Sequence, residues 1–587
     1  MVALMRHADI VPETGAELGR VLSVRGSQAS VGLPEPTWTV PDERRATVGK
    51  FLGIRSLGRL VIGVVTDASV TTLAIAREQG YTVTAIVDLM GEIKEENGAP
   101  RFYRGVTAYP AIGDAAFVIT HDDLKIIYEI SGGKTIDIGT LQQDASLTAS
   151  INVDDMLSKH FAVLGTTGVG KSSGVAVILN EILAKCPDLR IFLVDPHNEY
   201  GRCFGRYAQV LTPANLRLPF WLFNFEETID VVFRGRPGID EEIEILAELI
   251  PLARKAYSRD SADRARSAGF TIDTPVPYRL ADLLALIDER MGKLENRSSR
   301  STYNKLLMRV ETVVNDPRYG FMFDNANVGG DTMTSVLGQL FRLPTGDRPM
   351  TIMQLAGFPV EVIDSVVSVL GRMAFDFGLW SDGRLPLLFV CEEAHRYASA
   401  DRSVGFGPTR RAISRIAKEG RKYGVFLGLV TQRPAELDAT IISQCSTLFA
   451  MRMSNERDQA LVRSAVSDAA ANLLGFLPSL GTREVFAFGE GVSVPTRLRF
   501  KELAPDRLPR SEAVATGDAD FGKTVDQDFI DQVVDRWRSA TLSTRARPES
   551  VAPEAAAPAP VAAPPPPPFA GRLDPQRYRL LKKPAKV

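Results

Sequence analysis

The chain has 587 residues, 45% of them hydrophobic and 24% charged, with a formal net charge of −2: the profile of an ordinary soluble globular protein, with mass for about three or four domains. Its near-neutral charge does not advertise a polyanion as partner, although a basic channel can be hidden inside an acidic exterior. Four cysteines, Cys186, Cys203, Cys391 and Cys445, form no C-x-x-C pair, which excludes an obvious zinc cluster and fits a reducing cytoplasm.

In chain order, the opening MVALMRHADIVPE lacks an apolar signal core, and no window offers the roughly 18 apolar residues of a membrane span. A cytoplasmic protein with no membrane partner is expected. Residues 1–140 read as a β-rich domain. LGRVLSVRGSQASVGL, TVGKFLGI, RLVIGVVTDA, TVTAIVDLMGEI, RGVTAYPAIG and AAFVIT are short runs broken by glycine or charge, several of them alternating as half-buried strands do. Many short strands with glycine at the bends point to a small barrel, either a structural collar or a ligand-binding module.

A nucleotide core is expected over 141–225. Gly165–Ser172, GTTGVGKS, fits G-x-x-x-x-G-K-[ST]. The apolar run His160–Leu164 precedes it, and Val175, Ile178, Leu179, Ile182 and Leu183 come after it at helical spacing. Strand, glycine turn and helix are the context that phosphate binding needs. The backbone of Gly165, Thr166, Thr167, Gly168, Val169 and Gly170, leading through Lys171 and Ser172 to Ser173, would close around phosphate oxygens at a helix N-terminus. Lys171 would reach the β- and γ-phosphates, and Ser172 would ligate Mg²⁺. Next, the buried strand Arg190–Val194 ends in Asp195-Pro-His-Asn-Glu-Tyr200. Asp195 and Glu199 there either help position Mg²⁺ or water, or Asp195 caps the following turn.

Residues 226–330 show Leu, Ile and Val at 3–4 spacing in four runs, which predicts a helical subdomain inserted into the sheet. The core resumes over 331–510. Met350–Leu355 is one strand; Leu387–Cys391 is another, with Glu392 and Glu393 directly after it. An acidic pair at the end of a buried strand, downstream of a P-loop, is a second nucleotide signature: the first acid holds Mg²⁺ through water and the second acts as general base. Glutamate stands at 392 where aspartate is usual, one methylene longer. The strand Gly424–Val430 ends in Thr431-Gln-Arg-Pro434, which would put Gln432 beside the γ-phosphate as a sensor. Just before it, Arg421, or secondly Arg415, could reach a neighbouring subunit's ATP as a finger, or form a surface salt bridge. Thr447–Met453 and Arg483–Phe488 are two further strands. A helix is expected in 511–545, and 546–587 is an Ala/Pro-rich linker with a basic tip.

HFAVLGTTGVGKS, VDPHNEYG, LLFVCEEAHRY and AKEGRKYGVFLGLVTQRPAELD, in this order, resemble the HerA branch of the HerA/FtsK motor ATPases. RGVTAYPAIG and the β-rich start resemble that family's N-terminal HAS-barrel. The resemblance covers residues from about 10 to 505. It implies an α/β fold: a RecA-like P-loop ATPase core with an N-terminal β-barrel and an inserted helical subdomain. It further implies a homo-hexamer that hydrolyses ATP with Mg²⁺ at subunit interfaces and moves double-stranded DNA through a channel. A nuclease partner, NurA-like, or a phage-defence effector goes with that role. The family's roles fall on Lys171 and Ser172 for phosphate and metal, Glu392 and Glu393 for the acidic pair, Gln432 for the sensor and Arg421 for the finger. A second family arginine corresponds to Lys159, which keeps the charge without the bidentate fork. The competing readings are an ATP-gated ring scaffold for an effector enzyme and a secretion or conjugation ATPase.

Overall fold

The computed structural model describes residues 17–510 except 35–44, 72–76, 79, 131, 235–239, 260–268, 294–296, 325, 327–329, 345–347 and 467–470, and beyond them only 531, 534 and 535. The helix expected in 511–545 and the tail after it lie outside the described residues, those three positions apart.

Strands β1 (Glu17–Arg25), β2 (Gln28–Leu33), β3 (Phe51–Ser56), β4 (Arg59–Val70), β5 (Val83–Glu96), β6 (Ala99–Arg104) and β7 (Ala115–Val118) form one antiparallel sheet in the order β2-β1-β7-β3-β4-β5-β6. β2 also pairs with β5, so six strands close into a barrel and β6 lies outside on β5. Closure removes the free edges that an open sheet would expose. Val21, Val31, Ile54, Val61, Val65 and Val87 fill the interior. β4 and β5 bend at a register shift beside Gly63, where a Cβ would lie 2.8 Å from the Asp88 carbonyl oxygen. One expected strand is absent: RGVTAYPAIG is a loop after Arg104. Its Thr107 N–H and hydroxyl donate to the buried Glu92 carboxylate, at 3.2 and 2.7 Å, and Pro110 has no N–H to give a ladder.

The second sheet has eleven strands. They are β8 (Thr135–Leu141), β9 (Thr148–Asn152), β10 (His160–Leu164), β11 (Arg190–Asp195), β12 (Ala208–Leu211), β13 (Met350–Gln354), β14 (Leu387–Cys391), β15 (Val425–Thr431), β16 (Cys445–Met451), β17 (Glu484–Gly489) and β18 (Thr496–Phe500). Their order is β12-β13-β11-β14-β15-β10-β16-β17-β18-β8-β9. The run from β12 to β16 is parallel and the rest is antiparallel. β10, β11, β13 and β14 are buried at every residue, which is why they read as predominantly apolar runs. Because β8 pairs with β18 and β9, the core begins at Thr135, not after residue 140.

Four helices of the insertion, α2 (Phe225–Phe233), α3 (Asp240–Arg259), α4 (Leu280–Gly292) and α5 (Arg297–Val314), come after α1 (Lys171–Lys185) and sit between β12 and β13. They pack through Leu246, Leu283, Ile287, Leu306 and Val310 at the helical spacing the sequence shows. Glu227 anchors them to α6 (Val360–Trp380). It completes the capping box of α2 with Asn224 and accepts from Ser368 Oγ and Arg372 Nη2, at 2.8 and 2.9 Å. Among the described residues no helix is long and apolar enough to cross a membrane.

Candidate active site

The strand order brings the chemistry together. β14, β15 and β10 are adjacent and parallel, so the residues at and just beyond their C-terminal ends share one edge: Glu392 and Glu393, Thr431 and Gln432, and the P-loop. Open α/β sheets bind ligands at this edge. The loop turns through Gly168 and Gly170, whose φ values of +77° and +92° suit glycine, and Gly170 precedes the first residue of α1. At Gly165 a Cβ would sit 2.8 Å from Met451 Cβ, so the loop presses against β16. Lys171 is buried, and Ser172 Oγ donates to Glu199 Oε2 at 2.9 Å.

The loop after β11 is pinned by Asp195, whose carboxylate accepts the Glu199 and Tyr200 N–H groups at 3.1 and 3.0 Å. The capping alternative therefore holds for Asp195, and burial raises its pKa to about 6. The turn delivers two groups. Glu199 reaches Ser172, and the fully buried Tyr200 donates its hydroxyl to Glu392 Oε2 at 2.9 Å. Burial raises the Glu392 pKa to about 8, with Lys171 pulling the other way.

Glu393 has φ +52°, a left-handed conformation that costs a non-glycine residue roughly 1–2 kcal/mol and turns its side chain into the site. Its Oε1 accepts from Gln432 Nε2 at 2.7 Å, and Gln432 Oε1 accepts from Thr167 Oγ1 of the P-loop. His197 Nε2 lies 3.6 Å from Glu393 Oε1, and His395 Nδ1 lies 3.3 Å from Oε2. Glu393 Oε2 is buried without a hydrogen-bond partner, so one carboxylate oxygen is left to accept a proton or a water. Thr167, Lys171, Ser172, Glu392, Glu393 and Gln432 line one cavity of about 500 Å³.

The donor set suits a hard cation. Ser172, Glu199 and Glu392 supply only oxygens, and Mg²⁺ needs one or two protein carboxylates beside phosphate oxygens and water. Among the described residues no group of three or more His, Cys, Asp or Glu could hold a metal by itself.

Three residues lie away from this cavity. Arg421 is exposed in a 3₁₀ turn at the start of β15, while Gln432 lies just past its end, so the length of a strand separates them, roughly 20 Å. Arg415, on α7 (Gly407–Glu419), stacks over Phe375 at 4.0 Å and lies 3.5 Å from Asp376. Lys159 pairs with Glu490 at 3.4 Å within the same chain. Of the arginines after the acidic pair, Arg411 pairs with Glu226 and Arg410 reaches the Asp401 carbonyl.

Sequence reasoning missed Arg483 and the segment 501–509, which line the far end of the cavity. Arg483 reads as the first residue of a strand. It is instead a left-handed turn residue at φ +65°, and β17 begins at Glu484. The preceding Gly481-Thr482 was the available signal.

Residues 136–374 match the protein family described as "Helicase HerA, central domain". The chain is 26% identical over 435 residues to the DNA double-strand break repair helicase HerA of Pyrococcus furiosus, covering 67% of this chain and 74% of the relative. With the protein of the same name from Saccharolobus solfataricus it shares 25% over 435 residues, covering 71% and 80%. Among solved structures, VirB4 of Thermoanaerobacter pseudethanolicus aligns with TM-score 0.43 and 15% identity over 64% of this chain and 98% of that one. The plasmid coupling protein TrwB in complex with ADP and Mg²⁺ aligns with TM-score 0.43 and 16% identity over 67% and 94%. The P-loop and acidic pair share one sheet edge, and the two HerA helicases are matched over 74% and 80% of their own length, so the chain is similar to the HerA helicases and carries a P-loop ATPase core.

Proposed function

We propose that this chain is one subunit of a homo-hexameric ring that hydrolyses ATP to move along or unwind double-stranded DNA. The observation that carries the reading is the junction of Thr167, Gln432 and Glu393 across the cavity, which joins the phosphate loop to the general base. Lys171 binds the β- and γ-phosphates. Glu393, whose Oε2 makes no hydrogen bond, takes the proton of the attacking water. Gln432 touches both the P-loop and that base, so loss of the γ-phosphate would be felt along β15. Mg²⁺, held by Ser172 and through water by Glu392, would neutralise phosphate charge when bound. Tyr200 keeps Glu392 oriented, and Glu199 occupies the Ser172 hydroxyl.

DNA as the track is supported by the relatives' names, double-strand break repair helicases, and by the family match. A nuclease or a defence effector is the partner such a motor would serve. A ring is supported by the position of Arg421, exposed at the opposite end of β15 from its own cavity and therefore available to a neighbour's. The test is ATP turnover by the purified protein with and without linear duplex DNA. Several-fold stimulation that fades with added salt is expected. Equal rates at ring-forming concentrations would refute the motor reading and leave an ATP-gated scaffold.

A further inference from the structure

The phosphate and metal roles do not account for every residue that lines the cavity. Lys171, Ser172, Glu392, Glu393 and Gln432 account for one end. The other end is walled by Arg483, Glu502, Leu503, Leu508 and Pro509, residues that no phosphate or metal role has claimed. This wall is built into the P-loop. Arg483 N–H donates to the Val169 carbonyl at 2.9 Å, and a Cβ on Gly170 would meet Arg483 Cγ at 3.1 Å. The Arg483 carbonyl in turn accepts from Phe500 N–H at 2.9 Å, which fixes where the segment after β18 leaves the sheet. That segment is also tied at its far end, where Arg510 N–H donates to the Glu199 carbonyl at 3.0 Å.

Between these ties the side chains sort by chemistry. The Arg483 guanidinium lies 3.6 Å from Glu502 Oε2; Arg483 is mostly buried and Glu502 is 79% exposed at the mouth. Leu503, Leu508 and Pro509 are half-buried, presenting an apolar floor. Arg483 is a non-glycine residue held at positive φ, strain of the kind kept at binding sites. A nucleotide laid along the P-loop with its γ-phosphate at Glu393 must put its α-phosphate, sugar and base at this end.

We propose that Arg483 and the 502–509 segment form the nucleoside end of the site within one chain, with Arg483 on the α-phosphate, Glu502 on the ribose hydroxyls and Leu503, Leu508 and Pro509 beneath the base. The proposal rests on the reading of the P-loop as a nucleoside triphosphate site. It makes the site selective for ribonucleotides over deoxyribonucleotides. An anionic carboxylate accepts from two hydroxyls in the first and from one in the second.

Calorimetric titration of the full chain with ATP, dATP and inorganic tripolyphosphate, each with Mg²⁺, tests it. The wild type is expected to prefer ATP to dATP by about tenfold. Glu502→Ala should bring that ratio close to one and leave tripolyphosphate affinity unchanged or slightly tighter. Arg483→Gln should weaken ATP and tripolyphosphate alike, by about tenfold, and keep the ATP-to-dATP ratio. Arg483→Lys, which retains the charge, controls for folding and should recover most of the affinity, with thermal unfolding compared across the set. If the wild type binds ATP but Glu502→Ala keeps its ratio and both Arg483 variants bind as tightly as wild type, the proposal is overturned. If the wild type binds no nucleotide at all, the P-loop reading itself has failed.

Discussion

The two ends of β15 differ in nearly every physical respect. At its C-terminal end, Thr431 is buried, and Gln432 is hydrogen-bonded to Glu393 on one side and Thr167 on the other. At its N-terminal end, Arg421 and Lys422 are exposed in a short 3₁₀ turn. One end is ordered by burial and charge-assisted hydrogen bonds before any ligand arrives; the other presents a cation to solvent. The difference teaches how labour would be divided in the proposed ring: each chain would prepare its own phosphate cradle, and β15 would link that cradle to an exposed cation available to another copy.

The largest effect that would break this comparison is at the ordered end. Lys171→Ala removes the cation at the centre of the cradle. ATP turnover should fall by roughly 10³-fold or more, with the unfolding transition little changed. Normal turnover in that variant would contradict the phosphate assignment outright.

A smaller effect concerns the tie between β10 and β15. His160 is buried between them: Leu427 N–H donates to its Nδ1 at 2.9 Å, so Nε2 carries the proton and donates to the Ala417 carbonyl at 2.9 Å. Burial lowers the His160 pKa to about 4, below its ordinary 6.5. The unfolded chain therefore binds the extra proton first. Stability from this residue is complete above pH 6.5 and is lost as pH falls towards 4, by on the order of 3 kcal/mol. Denaturant unfolding across that window should show the slope. His160→Asn, which can still accept from Leu427 N–H, should flatten it, and an unchanged slope would show that His160 does not carry the effect.

The smallest expected effect is at Lys159. Its pair with Glu490 is half exposed on both sides, so Lys159→Ala should cost no more than about 0.5 kcal/mol in thermal unfolding. A change in ATP turnover greater than about threefold would instead show that Lys159 acts on a neighbouring site, as the family's second arginine would.

Legibility from sequence tracked burial and periodicity. Fully buried parallel strands such as His160–Leu164 and Leu387–Cys391 are largely apolar runs with chemistry-bearing residues just beyond them, so the strands and the residues that meet at their ends could be read directly. The insertion's helices were legible because their apolar stripes face one core. The antiparallel extension by β18, β8 and β9 was not, since pairing between residues as distant as Arg499 and Thr140 leaves no local trace. Nor was the loop 104–113, where a buried carboxylate rather than a neighbouring strand satisfies the backbone. Arg483 escaped because its value comes from φ +65° and from Gly170 across the fold. Arg421 could be singled out by sequence, but its distance from its own cavity only by the strand order.

The central claim, that the finger of one chain completes the cavity of the next, is tested most directly by mixing. Arg421→Ala alone should lower turnover by about 10³-fold, because each cavity lacks its neighbour's cation. Mixed with Lys171→Ala subunits under conditions where the two co-assemble, its intact cradles would receive arginines from the cradle-dead chains. The mixture is predicted to regain turnover well above either variant alone. A co-assembled mixture as inactive as its parts would contradict the claim.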